Sequence, residues 1–394
     1  KTAELLKKPI WNLAYFNIDV RSAISEAGIG TVADLVNHDP ANFSDEVRGI
    51  LSQALASADL KFKAGEEAKS EVRRARKPLT AEFDWMMEYF EKINIPWWKN
   101  GVLKGIRDNY EAVLERIHED LREKPDGTPV TRFDEESQEI FGEAVKSAFP
   151  QHGLYAEELG EEWRQDSARP DIPTWLFDGI DGTQDFKKLG KKFGTLVSIM
   201  MRGRIQFGGA YFPRLELDGS KRSSLITARE GEEGVLLNGK RIKKAKISEM
   251  EQSKIVYLSS PPDQVNYRKA LEKFLRMKGY DVRETTAGAG EIAEMLFKGE
   301  GRFSIHLTPA VVDAPLGAYF AQKLGLTVTD DDGIDVFPMK SPRKLKAGMY
   351  LEPMIIGTEK TNEEALEVLR LVERPAEGVV LTDVEMKMPA VDNV

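Results

Sequence analysis

The stretch Trp175-Leu-Phe-Asp178-Gly-Ile-Asp181-Gly-Thr183-Gln-Asp-Phe186 constrains this chain more than any other. Its apolar run has strand character and ends at Asp178, and Asp181 follows in a Gly-rich turn, so carboxylates converge where a strand gives way to a loop. Such a pair suits a hard cation. Gly182 and Thr183 add backbone N–H groups and a hydroxyl at an expected helix start, where unsatisfied donors and the helix dipole favour a phosphate. Carboxylates beside an anion cradle point to metal-assisted phosphoryl chemistry, whereas an Asx-rich surface turn is the plainer reading of the same residues.

Composition narrows the choice. With no Cys in 394 residues there is no disulfide, thiol nucleophile or cysteine zinc site. His38, His118, His152 and His306 are scattered without ligand spacing, so any metal site is built from oxygen. A formal charge of −9 argues against a surface that coats nucleic acid as a whole, while leaving room for local basic patches. The length and 41% hydrophobic content sustain two or three domains. No run of about 18 apolar residues occurs, so no membrane partner is expected. The start shows no signal-peptide pattern, and the expectation is a soluble, intracellular protein that is not secreted.

Other segments join the central one. Lys124-Pro-Asp126-Gly-Thr-Pro-Val130-Thr131-Arg-Phe-Asp134 lies upstream, His152-Gly-Leu-Tyr-Ala-Glu157-Glu158 follows it, and Val311-Val-Asp313-Ala-Pro-Leu-Gly317 comes much later. Together with the central stretch, and in this order, they resemble the inositol monophosphatase family, magnesium-dependent and lithium-sensitive phosphomonoesterases. The family's marks are K-x-D-x-x-P-V-T-x-x-D, G-E-E, W-D-P-I-D-G-T and W-D-x-A-A-G. The segment from Ala228 to Gly239 is similar to the family's A-x-x-G-x-G-A-x-x-N-G hairpin, and Ala287-Gly288-Ala289-Gly290 to its G-S-A-A segment. The resemblance runs from about residue 105 to 375.

That resemblance implies an α/β (α+β) architecture, a layered α/β/α/β/α sugar-phosphatase fold, here preceded by a small all-α domain. It implies two or three Mg²⁺ per site. Glu157 and Asp178 with the Ile180 carbonyl hold the first, and Asp178, Asp181 and Asp313 the second. Thr183, paired with Asp134 and assisted by Glu157, positions the attacking water, and the N–H groups of Gly182 and Thr183 receive phosphate oxygens. Glu158 reads as a supporting or surface carboxylate, and Asp126 as a turn residue. Lys187, Lys188, Lys191 and Lys192 read as a solvated loop, with attraction of an anionic substrate as the sharper alternative. Family members are often homodimers.

The departures from the family pattern are Ala156 for Gly, Gly179 for Pro, Asp185 for Asn and Val312 for Trp. None deletes a ligand, but Gly179 removes a conformational lock beside the acidic pair. The acid that recognises inositol hydroxyls in well-known members falls near residues 303–306, where no Asp or Glu occurs. The substrate reading is accordingly broad: a small phosphorylated alcohol of inositol, sugar, nucleotide or histidinol phosphate type.

In front of this body, residues 1–65 read as a helical module resembling a helix-hairpin-helix. In that family, hairpin N–H groups at positions matching Gly28, Ile29 and Gly30 hold a nucleic-acid phosphate; a small packing or assembly module is the other reading. Residues 66–101 read as a charged and amphipathic linker and 102–394 as the catalytic domain. Phe83, Met86, Met87, Phe90 and Ile93 recur at helical spacing, and Ile95-Pro96 is expected to end that helix. Helices are expected over 102–121, 134–148, 267–278, 291–298 and 316–324, and strands over 154–157, 193–201, 204–212 and 253–260. A tight turn at Arg202-Gly203 joins two of these strands, and Asp313 is placed both to cap a helix and to face a metal. The alternative to an enzyme is a phosphatase-like structural subunit, tethered through residues 1–78 to a nucleic-acid or protein assembly.

Overall fold

The computed structural model describes residues 79–104, 110–123, 129–158, 172–219, 223–259, 265–285, 288–307, 309–310, 312–339, 343–345, 348–350 and 353–372. The chain divides into one unit of Lys1–Glu82 with Arg169–Ile172 and a second of Phe83–Ala168 with Pro173–Val394. Gly28, Ile29 and Gly30 lie outside the described residues, as do the basic run before residue 79 and Asp126. Among the described residues no helix is long and apolar enough to cross a membrane.

Helix α1 (Thr80–Tyr89) does not stop at the proline. The chain stays helical but widens into π turns at Phe90–Asn94 and Trp97–Val102, where Ile95 N–H bonds to Phe90 O and Leu103 N–H to Trp98 O. Pro96 stands at the junction of the two π turns with a helical backbone (φ −59°, ψ −41°), which its ring permits. Met86, Phe90 and Trp98 are wholly buried, and Phe83 meets Phe207 edge-on. Residues 83–101, read from sequence as linker, therefore pack within the larger unit.

After α2 (Tyr110–Glu119) and the short antiparallel pair β1 (Arg122–Glu123) and β2 (Pro129–Val130), α3 (Arg132–Ala148) opens on a capping box between Thr131 and Asp134. A seven-stranded sheet follows in chain order: β3 (Gly153–Ala156), β4 (Thr174–Asp181), β5 (Gly194–Met201), β6 (Arg204–Phe212), β7 (Ser224–Arg229), β8 (Val235–Leu237) and β9 (Lys240–Ile242). Only β3 and β4 are parallel; the rest is an antiparallel meander. At the β5–β6 turn Arg202 (φ 55°) and Gly203 (φ 72°) are both left-handed, the pairing that matches strand twist in a two-residue hairpin. The short helix α4 (Thr183–Phe186) leaves the end of β4.

The second sheet has the order β11-β10-β12-β16-β13, formed by β10 (Ile255–Ser259), β11 (Asp281–Glu284), β12 (Phe303–His306), β13 (Thr327–Thr329) and β16 (Met354–Gly357); a hairpin of β14 (Arg343–Leu345) and β15 (Gly348–Tyr350) stands apart. Strands β10, β11 and β12 run parallel, and β16 is antiparallel to both neighbours. Helices α5 (Val265–Met277) and α8 (Glu359–Leu371) cover its outer face on Val256, Leu258, Ile305 and Ile355. Between the sheets lie α6 (Ala289–Lys298) and α7 (Ala314–Lys323), joined to one core by Leu176 and Phe212 on one side and Tyr257 and Ile356 on the other. Being sandwiched, α6 and α7 are buried nearly all round, whereas α3, α5 and α8 are amphipathic. The layers are helix, sheet, helix, sheet, helix, as the sequence suggests.

Candidate active site

Asp178 and Asp181 are an odd number of residues apart, so strict strand alternation would send them to opposite faces. The structure resolves this with an irregularity. Strand β4 runs on past Asp178 to Asp181, and three steps from Asp178 to Asp181 span only two on β5, from Leu196 to Gly194. The extra residue is a bulge, which turns both carboxylates to one side. Gly179 sits within it, and a Cβ there would stand 2.9 Å from Ser137 Cβ and 3.2 Å from Asp134 O. Helix α3 thus presses closely on the bulge, and a side chain at this position would require Ser137 or the helix to shift. Its neighbour Ile180 donates its N–H to Asp178 Oδ1 at 2.9 Å, which fixes that carboxylate.

The face of α3 that touches the bulge also orders the rest of the site. Asp134 Oδ2 accepts Thr131 N–H at 2.8 Å, and its Oδ1 accepts the Thr183 hydroxyl at 3.0 Å. Thr183 Oγ1 is also 3.1 Å from Ile180 O. One helical turn on, Gln138 Oε1 accepts the N–H of Glu158 at 2.8 Å and so holds the segment that carries Glu157. Gly182, at φ 79°, supplies the left-handed step that starts α4 at Thr183.

Glu157, Asp178 and Asp313 converge: one carboxylate oxygen from each lies within 4.8 Å of the others. Asp313 does not cap α7 through its side chain as expected. Its backbone is right-handed (φ −103°, ψ −58°) rather than extended, and its carboxylate turns to the cluster instead. Asp181 stands beside this group. Its Oδ2 accepts Ala289 N–H at 3.0 Å at the start of α6, and a Cβ on Gly288 would meet its Oδ1 at 2.6 Å.

Burial pushes the Asp178 carboxyl well above the ordinary carboxylate range, and the charges of Glu157, Asp313 and Asp181 push the same way. Burial does the same to Asp181, helped by Asp313 and Glu291 and opposed by the Ala289 N–H. Asp134 is pushed up to about 6, by burial first, with the Thr131 hydrogen bonds pulling it down. Oxygen-only donors that repel one another around a buried Asp178, with Glu157 and Asp313 half-buried, fit a hard divalent cation, which relieves the repulsion.

Of the residues read from sequence, the structure brings Glu157, Asp178 and Asp313 together at the ends of β3 and β4 and the start of α7, with Asp181 on β4 and the hydrogen-bonded pair of Asp134 on α3 and Thr183 on α4 beside them. It misses Ser137, which packs on Gly179, and Gln138 and Thr195, which bond backbone groups of remote segments; none leaves a local pattern. It also treats Lys192 as solvated. Instead Lys192 Nζ pairs with Glu294 at 2.7 Å, and its N–H donates to Asp185 Oδ2 at 2.8 Å, so this lysine ties the loop after α4 to α6. His306, at the end of β12, is buried, contacts Ser304 Oγ through Nε2 at 3.2 Å, and is held at about 4 by burial.

Comparison with known proteins bears on the family and the fold. The histidinol-phosphatase of Chlorobaculum parvum is 31% identical over 144 residues, which cover 35% of this chain and 51% of that protein. Nus factor SuhB of Vibrio cholerae is 27% identical over 208 residues, 52% of this chain and 72% of that one. Among solved structures, the extragenic suppressor protein SuhB of Bartonella henselae superposes with a TM-score of 0.50 at 19% identity, covering 68% of this chain and 93% of the other, a likeness of fold. The inositol monophosphatase family model matches residues 86–347, a span that holds the whole seven-stranded sheet, all of the second sheet but β16, and every acid of the cluster. The layered fold, the bulged Asp-x-x-Asp strand and that match together place this chain in the inositol monophosphatase family.

Proposed function

We propose that the chain is a Mg²⁺-dependent phosphomonoesterase acting on a small phosphorylated alcohol of inositol, sugar, nucleotide or histidinol phosphate type. The observation that carries this reading is the convergence of Glu157, Asp178 and Asp313 beside the Thr183–Asp134 hydrogen bond. In it, Glu157, Asp178 and the Ile180 carbonyl hold one ion and Asp178, Asp181 and Asp313 another, with two or three ions per site and sensitivity to lithium. Bound there, Mg²⁺ neutralises phosphate charge and serves as a Lewis acid. The Thr183 proton is committed to acceptors of the protein, Asp134 Oδ1 and Ile180 O, so a lone pair of its oxygen is left to accept from a water. The one proton that the water gives up passes to Thr183 Oγ1 as Thr183 hands its own to Asp134 Oδ1, with Glu157 assisting. The N–H groups of Gly182 and Thr183 receive phosphate oxygens; as the water oxygen bonds phosphorus in line, the ester P–O bond breaks and the leaving oxygen takes a proton from solvent to depart as the alcohol. Positioning and electrostatics carry such a reaction without a covalent nucleophile.

A phosphate-release screen over these four substrate types in Mg²⁺ tests the reading. Turnover of at least one is expected, with Asp178→Asn lowering kcat/KM on the order of a thousandfold. Folded wild-type protein that releases phosphate from none of them defeats the hydrolase reading. The assembly role would then stand, a role for which the relatives named Nus factor speak.

A further inference from the structure

The bulge that aims Asp178 and Asp181 is held from behind by residues outside the acidic cluster. Thr195, on β5 and fully buried, donates its hydroxyl to Gly179 O at 2.9 Å. The same oxygen accepts Trp98 Nε1–H at 2.9 Å and Asn94 Nδ2–H at 3.1 Å. A hydroxyl has one proton and two lone pairs, so Thr195 is saturated: donors in, one donor out. Trp98 has only a donor to offer, and its presence on a lone pair turns the single Thr195 proton toward Gly179. All three side chains are at most 2% exposed, so water does not compete.

Asn94 and Trp98 come from the two π turns that continue α1. Widened helical turns of this kind occur where a helix must present side chains to a functional site. Gly179 is the residue of the bulge with the least conformational restraint of its own. Its carbonyl lies in the peptide that joins it to Ile180, whose N–H orients Asp178.

We propose that Asn94, Trp98 and Thr195 form a buried relay that fixes the Gly179–Ile180 peptide, making Thr195 a positioning residue for the carboxylates of Asp178 and Asp181. The relay makes the π-helical segment a working part of the site, although no residue of it touches the cluster. It rests on the metal-dependent reading above. Without it, the glycine peptide can turn, and the carboxylates lose the arrangement that a cation needs.

The test uses the full chain, with Mg²⁺ as the probe, and compares wild type, Thr195→Val, Thr195→Ser and Trp98→Phe. Mg²⁺ affinity is measured by calorimetry, amide exchange over residues 178–182 by mass spectrometry, and metal-free melting by calorimetric scan. Thr195→Val is expected to weaken Mg²⁺ binding about tenfold or more and to speed exchange over 178–182. Thr195→Ser, which keeps the hydroxyl, is expected to restore both. Trp98→Phe, which keeps the ring and removes one donor, is expected to weaken binding by a smaller factor, and it carries the test if Thr195→Val does not fold. A variant that lowers the melting temperature but binds Mg²⁺ as wild type does overturns the relay and leaves the hydrolase reading intact. A wild type that binds no Mg²⁺ overturns both.

Discussion

Asp134 shows how much one side chain can do when both its oxygens are committed. Oδ2 closes the capping box of α3 and Oδ1 holds Thr183, so the same group starts a helix and orients a hydroxyl. Because burial raises it to about 6, above its ordinary value of 3.8, it takes up a proton at a pH where an exposed aspartate stays ionised. A protonated Asp134 no longer draws the Thr183 proton as strongly. We expect kcat/KM to fall as pH drops through about 6, or somewhat lower where a bound cation favours the ionised form. Asp134→Asn should lose that acid limb and about a hundredfold in rate. An acid limb that survives the substitution assigns it to another group. Asp134 and Thr183 are legible in the sequence because each belongs to a local pattern. Thr195 and Gln138 are not, since each partners a backbone atom of another segment.

At the scale of elements, α3 acts as the spine of the site. Asp134, Ser137 and Gln138 share one face and reach, in turn, α4, the β4 bulge and the loop after β3. Gln138→Leu should take the acceptor from the half-buried Glu158 N–H, at a cost of about 1 kcal/mol, and weaken Mg²⁺ binding about 10- to 100-fold. Thermal melting and a Mg²⁺ titration check both, and wild-type values in each would remove Gln138 from this role. The strand, the helix that follows it and the hairpin at Arg202-Gly203 follow from local chemistry. The bulge does not. An apolar run ending at Asp178 reads as a strand end, whereas pairing with β5 carries the strand on to Asp181. Pro96 likewise reads as a helix stop, and only packing of Phe90 and Trp98 into the core shows why the chain stays helical across it.

At the scale of the molecule, both sheets and the two helices between them exist to bring acids together that repel each other. The folded-state values of Asp178 and Asp181 lie above the unfolded value, so the metal-free fold binds protons more tightly than the unfolded chain. Its stability therefore falls as pH rises above about 4. On the proposed reading, Mg²⁺ held by the ionised cluster would oppose that loss, by about 2.7 kcal/mol at a concentration a hundredfold above Kd. The rise in Tm on adding Mg²⁺ should accordingly be larger at pH 8 than at pH 5 and vanish with chelator. A Tm that ignores Mg²⁺ at both pH values would show that the cluster holds no such ion.

The sequence by itself determined the chemistry available to this protein. With no cysteine and few histidines, the repeated Asp and Glu left oxygen ligands as the material of a metal site, and apolar periodicity set out strands and helices. Those are properties of neighbouring residues, and neighbours in the chain are enough to read them. The motifs name the carboxylates that meet; tertiary structure alone decided which backbone groups hold them, and that a helical extension ahead of the motifs braces the bulge from behind. Such contacts join residues far apart in the chain, and their energy depends on geometry in a dry interior that no local pattern records.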